Sequence, residues 1–291
     1  MTFPTKAALA ALLLATASAP VLAGAPERVM PGTVSTALNE YNFNVSADRT
    51  TMVFARSEAE FQKAHILVAA REGDGWGEPR PIGFTDPRYR DTDPWLAPDG
   101  RTLYFVSDRP TASRPDKKDL DLWRAVRTGD GWGAPEHLGD VVNGPGPELG
   151  PELIGGVLYF NSARKGGMGE LDFYAAVQTG DGFAKPVMLP APLNSPKSEG
   201  DFTLTPDGQT AVFWSSRGGR GHLYAARRQA GGWAEPVRLP DLVNGGPFQF
   251  TPQLSADGRT LTYAGTDARE GQPEGMADVY AVPVEALGLG R

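Results

Sequence analysis

Apolar bursts alternating with polar turns recur along this chain. In "DTDPWLAPDGRTLYFVSDRP" (91–110) two such bursts flank an Asp-Gly turn. The same arrangement returns as "EGDFTLTPDGQTAVFWSSRG" (199–218) and "FQFTPQLSADGRTLTYAGTD" (248–267). Aligned on the second burst, five copies read "SADRTTMVFARS", "APDGRTLYFVSD", "IGGVLYFNSA", "TPDGQTAVFWSS" and "SADGRTLTYAGT". Asp-Gly between short alternating apolar segments is a strong hairpin signal, because Gly adopts positive φ without steric cost. A third apolar stretch follows in every copy: "HILVAAR", "DLWRAVR", "DFYAAVQ", "HLYAARR" and "DVYAVPV". In four copies it leads through a Gly-aromatic turn ("GDGWGEP", "GDGWGAP", "GDGFAKP", "AGGWAEP") to a fourth short stretch.

Leu67, Trp123, Tyr174, Tyr224 and Tyr280 are equivalent positions, which sets the period at about 53 residues. Four short strands per repeat of this length make a propeller blade. The alternative, an open solenoid, is disfavoured by the chain ends. The fifth copy lacks its fourth stretch, and "APERVMPGTVSTALNE" near the N-terminus aligns with "AEPVRLPDLVNGGPFQ" of the fourth. The expectation is an all-β, five-bladed propeller. Its blades lie near 37–84, 89–143, 146–194, 197–244 and 247–284, and residues 26–35 complete the last as its outer strand. Closing the ring in this way removes exposed sheet edges.

The first 23 residues read as a signal peptide: Lys6, an apolar run from Ala7 to Ala17, and Val21 and Ala23 at positions suited to signal peptidase. The run is too short to span a bilayer. The 24–291 remainder is then expected as one domain in the periplasm or outside the cell. The chain has no cysteine, so neither a lipid-bearing N-terminal cysteine nor a disulfide framework is available. Net charge is −7, and one unit more negative without Lys6. That argues against nucleic acid or an anionic membrane surface as partner.

The recurring pattern [S/T/A]-x-D-G-x-x-L-x-F-x-S-x-R … D-x-Y/W resembles the TolB-like, WD40-like propeller repeats of exported bacterial proteins. The resemblance spans essentially 25–284. It implies a propeller that binds a protein, peptide or envelope polymer. Tol translocation proteins carry a separate N-terminal domain before the propeller, which this sequence does not display.

Three sets of equivalent positions are expected to meet on one face, together with the long loops 107–120 and 265–277. Strand one starts with Glu40, Asp91, Glu148, Glu199 and Gln249, and Asp93 and Asp201 add carboxylates two residues on. Arg109, Arg164 and Arg217 end strand two. His65, Asp121, Asp172, His222 and Asp278 start strand three. Repeated Arg and Asp/His positions suit ties between neighbouring loops. Four acids against three arginines would leave surplus negative charge near the axis, which favours a cation or a basic segment. The candidate binding set is therefore Glu40, Asp91, Asp93, Glu148, Glu199, Asp201, Arg109, Arg164 and Arg217. No cofactor is implied beyond a cation on the axis. Trp76, Trp132, Phe183 and Trp233 are expected to pack between blades.

Two functional readings remain. A non-catalytic, monomeric binding propeller uses the long-loop face to take an envelope protein, peptide or polysaccharide. A propeller glycoside hydrolase would place two carboxylates on the axis. Repetition of the acids at equivalent positions favours the first, since acid and nucleophile need different surroundings.

Overall fold

The computed structural model describes residues 24–129, 131–268 and 275–289. The expected signal peptide and part of the 265–277 loop lie outside them. Five antiparallel sheets are arranged in sequence order, each starting from an innermost strand. These strands are Asn39–Val45, Asp91–Leu96, Glu148–Ile154, Glu199–Leu204 and Gln249–Leu254. The second strands are Thr51–Ser57, Thr102–Ser107, Val157–Ser162, Thr210–Ser215 and Thr260–Gly265. The third are His65–Glu72, Asp121–Thr128, Asp172–Thr179, His222–Gln229 and Asp278–Pro283. Among the described residues no helix is long and apolar enough to cross a membrane.

The fourth strand is shorter than its sequence suggests. In blades one to four it is two separate two-residue segments, such as Gly131–Trp132 and Glu136–His137, both paired to the third strand. Pro79, Pro135, Pro186 and Pro236 fall between the two segments. Proline has no N–H to give a ladder, so the pairing breaks there.

Ring closure by the N-terminus is as expected, again through a two-residue strand. Glu27–Arg28 pairs with Ala281 and Tyr280. Beyond it, Val34 is fully buried, and the Ser35 hydroxyl and Val279 N–H and C=O bond one another. Val34-Ser35 reproduces a device of blades two to four, where Asn143, Asn194 and Asn244 each bond the N–H and C=O of Leu122, Phe173 and Leu223. The first residues of the described chain thus finish the last blade down to its internal tie.

The core lies between blades. Phe183 of blade three packs within 6.4 Å of Tyr104 of blade two. Trp132 joins Val53 and Ile66 of blade one, and Trp76 joins Val29 and Val279 of blade five. Trp233 of blade four sits with Tyr159 of blade three. The hairpin aromatics are therefore inter-blade packing, as their spacing suggests.

The Asp-Gly turns are built as expected. Asp99, Asp207 and Asp257 accept the backbone N–H two residues on, and Gly100, Gly208 and Gly258 take φ of 64°, 68° and 68°. Blade one has Arg49 in the glycine position, at φ 59°.

Candidate functional site

Each innermost strand carries a bulge two or three residues after its start, where the pairing register shifts. The residues there are Asn42, Asp93, Gly150, Asp201 and Thr251, all with φ between 46° and 57°. This left-handed backbone turns them out of the ladder at the propeller axis. Four links join them across blades. Gly150 N–H donates to Asp93 Oδ2 (3.0 Å) and Thr251 N–H to Asp201 Oδ2 (3.3 Å). Asn42 N–H donates to Thr251 Oγ1 (3.3 Å). Gly150 has no side chain to receive Asp201 N–H, and Asn161 Oδ1 of the neighbouring strand takes it instead (3.3 Å). A Cβ on Gly150 would lie 2.7 Å from both Asn161 Oδ1 and Asp201 Oδ1, so only glycine fits.

Above this ring, on the long-loop face, opens a cavity of about 260 Å³. Asp93, Asp201, Asn161 and Thr251 line it together with aromatic side chains from blades one, four and five: Tyr41, Phe61, Trp214, Phe248 and Phe250. The aromatics touch one another, with Phe248 stacked on Phe250 at 4.7 Å and Phe61 edge-on to Tyr41 at 5.3 Å. Leu120 and Leu149 line it from blades two and three. Arg90 is also present, but its Nε and backbone N–H are held by Asp108.

The two axial carboxyls are strongly desolvated. Burial pushes Asp93 up; burial and the nearby Asp93 push Asp201 up to about 7. Their hydrogen bonds come from neutral donors: Gly150 N–H and the Thr92 hydroxyl to Asp93, Thr251 N–H and the Trp214 indole to Asp201.

One residue pair further along the strands, a second polar layer crosses the channel. Glu152 accepts from Thr203 Oγ1 (2.9 Å) and Gln253 Nε2 (3.1 Å). Asn44 Nδ2 donates to Gln253 Oε1. Burial pushes Glu152 up to about 8, so its carboxyl is mostly neutral at pH 7. Glu152 also lines a smaller depression of about 180 Å³, shared with residues of the Asp-Gly turn region such as Pro98 and Pro206.

The strand-one acids sit elsewhere. Glu40, Asp91, Glu148 and Glu199 are fully buried, but none lines the axial cavity. Each pairs with an arginine of its own blade: Glu40 with Arg56 (2.7 Å), Asp91 with Arg109 (2.5 Å), Glu148 with Arg164 (3.0 Å) and Glu199 with Arg217 (3.3 Å). Each guanidinium also donates to a carbonyl of the preceding segment, at Thr33, Phe84, Val142 and Leu193 respectively. Ser107, Ser162 and Ser215 donate to the acids of their blades. The S-x-R motif therefore clamps each blade to the incoming chain. Arg56 is the fourth guanidinium, so the surplus charge expected from four acids and three arginines does not arise. Alignment missed it because Arg56 occupies the position of Ser107, two residues ahead of Arg109. Burial raises Glu40, Asp91 and Glu148, and their arginines and hydroxyl donors draw them back.

Of the candidate set, only Asp93 and Asp201 reach the cavity. The aromatic lining, Asn161 and Glu152 were not singled out by the sequence. Asn161 had a signal: it is the polar residue in "LYFNSA" where the other copies have Ala, Val or Trp.

At the strand-three starts, His65 and His222 do not converge with a metal-binding group. Among the described residues no cluster of three or more His, Asp or Glu could hold a metal ion. The 107–120 loop is held down by charge: Arg114 and Lys117 both bond Asp121, Lys117 also bonds Gly144 O, and Arg114 pairs with Asp140.

No sequence-family model matches the chain, and no curated protein matches it in sequence. Solved structures match in fold. The putative TolB from Agrobacterium tumefaciens aligns at a TM-score of 0.55 and 17% identity, over 86% of this chain and 79% of that one. The catalytic domain of the GH62 α-L-arabinofuranosidase from Coprinopsis cinerea aligns at 0.54 and 13% identity, over 90% and 97%. A GH62 hydrolase in complex with xylotriose aligns at 0.51 and 10%, over 88% and 96%. At these identities the likeness is one of fold alone: this chain's five-bladed propeller resembles the folds of TolB and GH62 structures.

Proposed function

We propose that this protein is an exported, non-catalytic binding propeller that takes its ligand on the long-loop face. The ligand is a protein, peptide or envelope polymer, and it seats part of itself in the axial cavity. The observation that carries this reading is that cavity: a concave, largely apolar site on a rigid ring, with few polar groups at its base. Both axial carboxyls are occupied as acceptors for backbone amides of the next blade, which suits a fixed recognition surface better than an acid that must give up and regain a proton.

The test compares wild type with Trp214→Ala and Phe248→Ala in capture of a defined partner from envelope extract, with Val237→Ala on the outer edge as control. Loss of the partner in the two cavity variants alone supports the reading, and retention in both overturns it. The desolvated carboxyl pair also fits a propeller glycosidase. Turnover of a chromogenic arabinoside or xyloside that disappears in Asp201→Asn would replace the binding reading with that one. Export is checked by mass spectrometry of the native protein, where an N-terminus at Gly24 is expected and an intact Met1 would refute it.

A further inference from the structure

We infer that the axial cavity recognises an organic cation, a primary ammonium or guanidinium carried on an aliphatic stem, as on a basic side chain. This rests on the reading of the cavity as the binding site. The ring acids Glu40, Asp91, Glu148 and Glu199 each have a guanidinium within 3.3 Å, and Asp121 has Arg114 and Lys117. Asp93 and Asp201 differ. Among the described residues their hydrogen bonds come from amides, a hydroxyl and an indole, and Arg90 is committed to Asp108. Two carboxyls that flank Gly150 and line one cavity, with neutral donors alone for partners, leave a site that a positively charged group would complete.

The remainder of the lining defines what must carry that charge. Tyr41, Phe61, Trp214, Phe248 and Phe250 supply aromatic surface, which attracts cations as well as methylenes. Leu120 and Leu149 add aliphatic contact. At about 260 Å³ the cavity is below the about 300–1,000 Å³ of drug-sized sites, and suits one long side chain or a small alkyl amine. Phe61 is 40% exposed, which leaves apolar surface at the mouth for the ligand's stem. A hydrated inorganic ion would satisfy the acids but leave the aromatic lining without a role.

The experiment titrates the whole mature protein with n-pentylamine, agmatine, n-pentanol and calcium chloride, read by calorimetry and by Trp214 fluorescence. A blocked lysine and a lysine-bearing peptide distinguish a free amine from a side chain as the source. Pentylamine and agmatine are expected to saturate, pentanol at least about tenfold more weakly, which is 1.4 kcal/mol. Asp201→Asn and Asp93→Asn should each cut amine affinity about tenfold with no loss of melting temperature, since Asn tolerates positive φ, its Oδ1 can still accept the amide, and a buried charge is removed. Equal binding of pentylamine and pentanol would overturn the cation inference and leave the cavity reading standing. Calcium that binds and displaces the amine would overturn it in favour of an inorganic ion. No saturation by any probe up to about 50 mM would overturn both readings.

Discussion

Replacing Glu152 by Gln should remove much of the pH dependence of folding stability. The Glu152 carboxyl is pushed from 4.5 up to about 8 by burial in the second polar layer of the channel. Its neutral form is the one the fold favours. The stability it contributes is thus fully present below pH 4.5 and is lost progressively as pH rises towards 8. One proton per molecule gives a slope of about 1.4 kcal/mol per pH unit within that window. Allowing for curvature near the lower end, the loss between about pH 5 and pH 7 is roughly 2.5 kcal/mol. Gln fits the same partners: Oε1 can accept from Gln253 Nε2, and Nε2 can donate to Thr203 Oγ1. Glu152→Gln should therefore gain about 2.5 kcal/mol on wild type between pH 5 and pH 7, or about 5–10 °C in Tm. Urea unfolding of both proteins at pH 5, 6 and 7 isolates the residue, because every other group is the same in both. Parallel stability curves for the two proteins across this range would refute the assignment of a neutral buried acid.

Arg164→Ala strands Glu148, fully buried, without its guanidinium, and should cost about 3–5 kcal/mol in urea unfolding; an unchanged midpoint would show that the clamp is ornamental to stability. Removing residues 24–36 takes away buried Val34, the Ser35 tie to Val279 and the outer strand of the last blade, for a loss of about 3–5 kcal/mol. A truncated protein that melts with the parent would disprove closure by this segment. Arg49→Gly relieves a left-handed residue at about 1–2 kcal/mol, less the about 0.4–1 kcal/mol of added chain freedom in the unfolded state. It should raise Tm by about 1–4 °C, and a lower Tm would mean that Arg49 makes a contact worth more than its strain.

The blades were legible because two periods coincide, the two-residue alternation within strands and the recurrence of Asp-Gly turns between them. Even the completing role of the N-terminal segment could be read from Val34-Ser35 against Val243-Asn244. The site was less legible. Glu40, Asp91, Glu148 and Glu199 stand out in an alignment because the clamp they form is repeated in four blades. Asp93 and Asp201 stand beside Asn42, Gly150 and Thr251, a column with no common chemistry, and its shared feature is a backbone angle that side-chain identity does not reveal. Tyr41, Phe61 and Phe248 come from a strand, a single 3-10 turn and the approach to another strand, so no spacing relates them. Arg56 was hidden by a two-residue change of position that keeps its contact with Glu40.

That uneven column explains why the five repeats cannot be made alike. A consensus chain with Asp in every blade would bury five carboxyls around one axis with few counter-charges, and repulsion among them would oppose folding. Glycine throughout would leave five backbone amides in search of acceptors, a need met here only once, by Asn161. Mixed short side chains, charged in two blades and neutral in the others, keep the buried charge to two carboxyls and leave four of the five amides with an acceptor. Divergence of the copies at the axis is therefore a condition of having five of them in a ring.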